Sequence, residues 1–175
     1  MSDEIRHRMV ALLPRLRAFA RSLTRNAADA DDLVQQTCEK ALAGLSGFTP
    51  GTKLESWLFR IMHNQWIDVT RRRRPTLDIE SEGLAETLTG EDGRLTTQAR
   101  MEWRAVSAAM ADLPPDQSGV LMLVCVEGLR YREVADILDI PIGTVMSRLA
   151  RARTAVADAL DGKSTAAPAS GEHAR

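Results

Sequence analysis

Aromatic and basic side chains are concentrated in one stretch of the chain. Four of the seven aromatic residues, Phe48, Trp57, Phe59 and Trp66, lie within it, and four consecutive arginines, Arg71–Arg74, follow. Aromatic rings stack on unpaired bases, and guanidinium groups bind the phosphates of the same strand. The stretch therefore predicts a surface that binds single-stranded nucleic acid.

Several of these residues also have a structural interpretation. Trp57 shares the apolar face of a predicted helix with Ile61, so we expect Trp57 to be buried. Phe59 and Trp66 fit either side of that helix, whereas Phe48 stands in a loop with Gly and Pro and has the least reason to belong to the core. An arginine run suits the C-terminus of a helix. Four arginines exceed what this requires, so we favour contacts with phosphates.

A second motif, near the C-terminus, has the spacing of a helix-turn-helix. Ala135 is the small residue needed where two helices cross, Asp139 stands where the turn needs left-handed backbone, and Val145 packs the second helix. The face opposite Val145 presents polar and basic side chains that suit a DNA major groove. These side chains are Thr144, Ser147, Arg148 and Arg151. The alternative is a helical hairpin whose arginines are simply solvated.

No pattern in the sequence indicates catalysis or metal binding. His63 is an isolated histidine in a predicted helix, and Cys38 and Cys125 are far apart with no further ligand at metal-binding spacing. No serine or cysteine has a base partner. We therefore expect no metal, no cofactor, no disulfide framework and no enzymatic activity.

The elements that must position these motifs are all helices. Apolar residues recur every three to four positions, and they are interrupted after Leu23, near Gly44, at Pro75 and at Pro114. Thr52 and Glu55 have the spacing of a capping box at the start of the aromatic helix. The sequence thus predicts an all-α fold of two small helical domains joined by an acidic flexible linker, with the helix-turn-helix in the second domain.

The charge of the chain is unevenly distributed. The 175 residues carry a net charge of -1, which is the sum of +5 over residues 1–75, -7 over residues 76–127 and +1 over residues 128–175. We place the domains at 1–75 and 98–161, the acidic linker at 76–97 and a disordered tail at 162–175. The length excludes a large catalytic barrel. Without a signal peptide or a long apolar run, we expect a cytoplasmic protein with no membrane insertion.

Three long segments, in order, resemble the extracytoplasmic-function sigma factors of bacterial RNA polymerase, which belong to the sigma-70 family. They are DADDLVQQTCEKAL, PGTKLESWLFRIMHNQWIDVTRRRR and ADLPPDQSGVLMLVCVEGLRYREVADILDIPIGTVMSRLARAR. The resemblance covers about residues 10–160. It implies a first domain that binds the clamp of the β′ subunit and reads the -10 element as an unpaired strand. It also implies a second domain that sits on the β flap and reads the -35 duplex.

The resemblance also implies roles for individual residues. Asp29, Asp32, Gln35 and Gln36 would bind core polymerase. The loop from Phe48 to Lys53 would receive a flipped -10 base, Asn64 would read the same element and Arg71, Arg72, Arg73 and Arg74 would follow its backbone. Thr144, Ser147, Arg148 and Arg151 would face the -35 groove. The sequence departs from many family members at Gln36, Met146 and Ala150, which affects one polymerase contact and the -35 preference.

Three functions remain to be compared. The leading hypothesis is an alternative sigma factor that binds core RNA polymerase and promoter DNA and is held inactive by an anti-sigma factor. A sigma mimic that only sequesters an anti-sigma factor would not need the basic DNA-facing residues. A free-standing helix-turn-helix repressor leaves residues 28–75 unexplained.

Overall fold

Seven α-helices form two groups in the part of the chain that the structure describes. The computed structural model describes residues 2–73 and 97–164 and places none of them in a strand, which confirms the predicted all-α fold. The N-terminal unit contains α1 (Ser2–Thr24), α2 (Ala27–Ala43) and α3 (Leu54–Arg73). The C-terminal unit contains α4 (Thr97–Ala111), α5 (Pro115–Leu121), α6 (Tyr131–Leu138) and α7 (Ile142–Ser164). The predicted acidic linker lies outside the described residues, except for Thr97.

Local sequence signals set the turn between α1 and α2. Arg25 adopts a left-handed backbone with φ of 63° and so ends α1. The Asn26 side chain then accepts a 2.7 Å hydrogen bond from the backbone N–H of Asp29, which caps α2. Gly44 follows the last turn of α2, and its N–H donates to the Lys40 carbonyl. These positions agree with the predicted boundaries of the second helix.

The start of α3 differs from the predicted capping box. The helix begins at Leu54, and the Thr52 hydroxyl donates a 2.7 Å hydrogen bond to the Thr49 carbonyl instead of capping the helix. Thr52 therefore closes the turn before α3. The sequence pattern located the helix but assigned the wrong partner to this hydroxyl.

The helix-turn-helix prediction is confirmed in its backbone. After α5, the chain continues through a wider π-helical turn, Met122–Val126, and reverses at Gly128, which has φ of 66°. Asp139 between α6 and α7 has φ of 53° and ψ of 49°, the left-handed conformation that the turn needs. Val145 is fully buried. The helix α7 extends to Ser164, so the first residues of the predicted tail are helical.

The two units share one hydrophobic core. Phe19 of α1 and Phe59 of α3 meet edge to face with ring centroids 5.1 Å apart inside the N-terminal unit. Buried residues of α5 and α6 continue the same cluster into the C-terminal unit. The units therefore lie against each other, with α1 beside α5 and α3 beside α6.

Both cysteines are free thiols. Cys38 is partly buried, and burial raises its pKa above the ordinary value. Cys125 is exposed. Within the described ranges, no helix combines the length and the apolar character that crossing a membrane requires.

Candidate nucleic-acid interface

The helix α7 presents only part of the predicted -35 surface to solvent. Val145, Leu149 and Ala152 form its buried stripe. Ser147 and Arg151 are exposed and adjacent, since Arg151 Nε donates to the Ser147 carbonyl at 3.3 Å. Exposed polar groups at this position can reach phosphates or base edges.

The other two predicted -35 residues are less accessible. Thr144 is half-buried, and its carbonyl accepts a 3.1 Å hydrogen bond from the Ser147 hydroxyl. Arg148 Nε lies 3.2 Å from the Asp116 carboxylate at the start of α5. Arg148 therefore connects α7 to α5 in this arrangement, and its side chain is only 25 % exposed.

The predicted -10 loop is anchored by an aromatic pair. Phe48 is only 8 % exposed, and its ring lies 5.3 Å from that of Trp57. The expectation that Phe48 is the least core-like aromatic residue is wrong, because the chain folds back over α3 and Trp57 covers the ring. Trp57 itself is half-buried rather than fully buried, and Phe59 belongs to the core.

The face of α3 that carries Arg60 lies against α6. Lys53 Nζ lies 2.6 Å from the Glu133 carboxylate, and the Arg60 guanidinium donates a 2.8 Å hydrogen bond to the Asp136 carbonyl. Lys53 and the Arg130 backbone N–H, which both donate to the Glu133 carboxylate, lower its pKa. Lys53, a cation of the predicted -10 surface, and Arg60, which was not among the predicted site residues, are thus both bound to the helix-turn-helix.

A cleft of about 600 Å³ lies between α3 and the helix-turn-helix. Arg60 and Asn64 line it from α3, and Ala135, Asp136 and the turn 139–141 line it from the helix-turn-helix. Asn64, the predicted -10 reader, therefore faces the other unit. We name this space the interdomain cleft.

A second set of contacts joins α1 to the C-terminal unit. Arg15 Nε donates to the Glu127 carboxylate at 2.6 Å, and the Glu127 side chain is only 4 % exposed. The Arg25 guanidinium donates a 3.0 Å hydrogen bond to the Leu113 carbonyl. Gly119 of α5 lies so close to α1 that a Cβ there would be 3.1 Å from Leu23 Cδ2.

Sequence reasoning did not find this interface. The only signal for it was the charge pattern, in which a basic N-terminal block precedes an acidic one. Only the contact of Arg15 with Glu127 follows that pattern. Glu133 lies in the mildly basic segment 128–175, and Arg25 and Arg60 donate to backbone carbonyls. The pairing of individual residues depends on how the helices pack.

The arginine run extends from the end of α3. Arg71 and Arg72 are exposed, Arg73 is the last residue of the helix, and Arg74 lies outside the described residues. Two guanidinium groups at least are thus on the surface. Their exposure is compatible with binding a phosphate backbone.

The predicted polymerase-binding residues share α2. Asp32, Gln35 and Gln36 are exposed, whereas Asp29 is half-buried in the first turn. Asp29, Asp32 and Gln36 line a groove of about 280 Å³ that also contains apolar residues. The apolar lining is Leu23, Leu33, Trp66, Val69 and Pro115. Gln35 instead donates a 3.0 Å hydrogen bond to Glu39.

His63 is a buried neutral side chain near the interface. It is 6 % exposed, and its ring lies 5.7 Å from that of Trp66. Burial, with a further contribution from Arg148, lowers the pKa of His63 to about 4. Its Nδ1 atom has no hydrogen-bond partner. Across residues 2–73 and 97–164, no three potential metal ligands converge.

Comparisons with known proteins match both units of the chain. Residues 9–76 match the family model described as sigma-70 region 2, and residues 103–156 match the model described as sigma-70, region 4. The ECF RNA polymerase sigma factor EcfG of Rhodopseudomonas palustris is 40 % identical over 154 residues, which cover 88 % of this chain and 83 % of EcfG.

Two solved structures extend the likeness to the fold. One is the sigma factor RpoE in complex with the anti-sigma factor NepR from Bartonella quintana, with a TM-score of 0.74 and 30 % identity, covering 90 % of this chain and 97 % of that one. The other is CnrH in complex with the cytosolic domain of CnrY, with a TM-score of 0.63 and 26 % identity, covering 93 % of this chain and 90 % of that one.

Proposed function

Because this chain belongs to the extracytoplasmic-function sigma factors of the sigma-70 family, we propose that it binds core RNA polymerase and directs initiation at a specific set of promoters. The observation that carries this proposal is the ordered match of both sigma regions to the two helical units. The N-terminal unit alone would be unexplained in a helix-turn-helix repressor. As a member of a family of transcription regulators, the protein would supply promoter recognition and no catalytic chemistry, and it would act in the cytoplasm.

The residue roles follow the positions of the side chains. Lys53 just before α3 and Asn64 on α3, with the arginines 71–74, would bind the unpaired -10 strand, whereas the buried Phe48 would hold the loop in place rather than stack on a base. The exposed Ser147 and Arg151 would contact the -35 duplex. Asp29, Asp32, Gln35 and Gln36 would bind the polymerase clamp.

The packing of the two units implies a conformational step. Lys53 is bound to Glu133, Asn64 faces the interdomain cleft, and Arg148 is bound to Asp116. A DNA strand cannot occupy the same side of α3 while α6 covers it. Core polymerase would therefore bind a separated form of the two units, and its binding free energy would offset the loss of the interface.

Reconstitution with core polymerase tests the function. Core polymerase with the purified protein should initiate at a limited set of genomic sites that share two sequence elements, whereas core polymerase alone should not. The protein alone should bind duplex DNA weakly, since the interface between the units occupies part of its basic surface. Tight duplex binding without any effect on core polymerase would contradict the proposal.

We also propose that an anti-sigma factor controls this protein. The support is the likeness to RpoE, which was solved in complex with the anti-sigma factor NepR. Titration calorimetry with NepR from Bartonella quintana should show binding, and NepR should compete with core polymerase for the protein. Failure of NepR to bind would contradict control by an anti-sigma factor of that kind.

A further inference from the structure

The helix α7 carries two large apolar side chains on its surface. Ile142 is 47 % exposed and Met146 is 53 % exposed. They are one helical turn apart and therefore lie on the same side of α7. Val145 and Leu149, which are at most 2 % exposed, already pack this helix against the hydrophobic core.

Their exposure is unusual within this protein. Among the described residues, only three other large apolar side chains are exposed, and none of them is on α7. Ile142 and Met146 stay exposed although α6 packs against α3 and α7 packs against α4, α5 and α6. An apolar pair at this place has no role in the folded chain that the structure describes.

The surroundings of the pair indicate the kind of partner that covers it. Between residues 142 and 157, the helix carries no acidic residue, and besides Arg148, which is paired with Asp116, it presents the exposed Arg151 and Arg153. Its field therefore attracts a polyanion. In a helix-turn-helix, the first turns of the second helix approach the base edges, and Ile142 and Met146 occupy these turns. The apolar group that a DNA major groove offers is the 5-methyl group of thymine.

We propose that Met146, supported by Ile142, reads a thymine methyl group in the -35 element. This rests on the proposed function, because it assumes that α7 enters the major groove of promoter DNA. Met146 acts as a specificity-determining residue: its thioether side chain excludes water from the methyl group, while Ser147 and Arg151 supply polar contacts beside it. The -35 element therefore contains at least one A·T pair under the first turns of α7.

Replacement of thymine by deoxyuridine tests this contact, because it removes only the methyl group. The test measures open-complex formation by the reconstituted holoenzyme on a mapped promoter whose -35 thymines are replaced on both strands. Burial of one methyl group corresponds to roughly a fourfold change in affinity. We expect about this loss on the deoxyuridine template with the native protein and no difference between the templates with Met146→Ala.

A matched control keeps the readout specific. Val10 is 65 % exposed on α1, so Val10→Ala shortens another exposed apolar side chain, in the other unit. This variant should retain the full difference between the templates. Because the readout is a ratio between two templates, a general effect of a substitution on folding or core binding cancels.

Three results would overturn the proposal. They are equal initiation on both templates by the native protein, an undiminished difference in Met146→Ala, and a mapped -35 element without any A·T pair. If initiation still depends on the -35 sequence in these cases, the proposed function stands and only the methyl contact fails. If scrambling the whole -35 element has no effect, the -35 role of α7 fails with it.

Discussion

The Lys53 ammonium group lies 2.6 Å from the Glu133 carboxylate and joins the start of α3 to the first turn of α6. The pair connects the two units, and one partner is a residue that we assign to -10 recognition. Lys53 cannot bind a phosphate and Glu133 at the same time. In the free protein, a cation that we propose for DNA binding is thus paired with a carboxylate of the other unit.

Reversing the charge of one partner should weaken the interface between the units, and reversing both should restore it. Lys53→Glu or Glu133→Lys places like charges together and should destabilise the packing by about 0.5–1 kcal/mol, because the pair is partly exposed. Small-angle scattering should show a larger radius of gyration for each single variant. The double variant restores an attractive pair, so a double variant that stays expanded would contradict the role of this contact.

Gly119→Leu should separate the units more strongly. A side chain at this position collides with Leu23 across the interface, and overpacking of this kind costs about 1–3 kcal/mol. We expect an expanded protein with unchanged helix content and tighter binding to core polymerase. Gly143→Leu is the matched control, because a Cβ at Gly143 meets nothing within 4 Å. Equal expansion of both variants would rule out the interface as the cause.

Arg151 and Arg148 should respond differently to substitution. Arg151→Ala removes an exposed guanidinium and should weaken initiation that depends on the -35 element by about 1–3 kcal/mol if it contacts a base. Arg148→Ala should also reduce thermal stability, because it breaks the contact with Asp116.

Asp116→Asn separates the two roles of Arg148. If the contact with Asp116 is the main role of Arg148, both variants should lower the melting temperature while preference for the native over a scrambled -35 element is retained. Loss of that preference in Arg148→Ala alone would assign Arg148 to DNA.

The arginines after α3 should determine part of the salt dependence. Each phosphate of single-stranded DNA that a cation neutralises adds about 0.7 to the slope of log K against log salt. Replacement of Arg71 and Arg72 by Gln should therefore reduce this slope for open-complex formation. Arg8→Gln, an exposed change on α1, should leave the slope unchanged. An unchanged slope in the Arg71 and Arg72 variant would show that these arginines stabilise the C-terminus of α3 and do not bind phosphates.

His63 should make the folded protein less stable in acid. The folded state holds the pKa at about 4, below the ordinary value of 6.5, so the unfolded state takes up the proton first as pH falls. The contribution of neutral His63 to the free energy of unfolding is fully present above pH 6.5. It is lost between about pH 6.5 and 4, at up to about 1.4 kcal/mol per pH unit.

Denaturant unfolding at several pH values measures this contribution. His63→Phe retains an aromatic ring beside Trp66 but cannot be protonated, so it should flatten the dependence on pH in that window. His7→Phe, at an exposed position on α1, should leave it unchanged. If the free energy of unfolding of His63→Phe depends on pH as steeply as that of the native protein, other groups cause the acid sensitivity.

The sequence by itself determined the helices and the helix-turn-helix. These features depend on residues close together in the chain: the left-handed turn at Asp139 and the buried Val145 six positions later. Short-range spacing also placed Ser147 and Arg151 on the exposed side of α7. For such features, backbone geometry leaves few alternatives.

Tertiary packing decided which of the predicted site residues are accessible. Phe48 is buried because Trp57, on the following helix, covers it, and Arg148 is held by Asp116 of another helix. Lys53 is paired with Glu133, a residue 80 positions away. The sequence showed a basic block and an acidic block but gave no indication that side chains of the two units pair with each other. Only the packing of α3 against α6 and of α1 against α5 determined which charges meet, because that choice depends on shape and burial between segments distant in the chain.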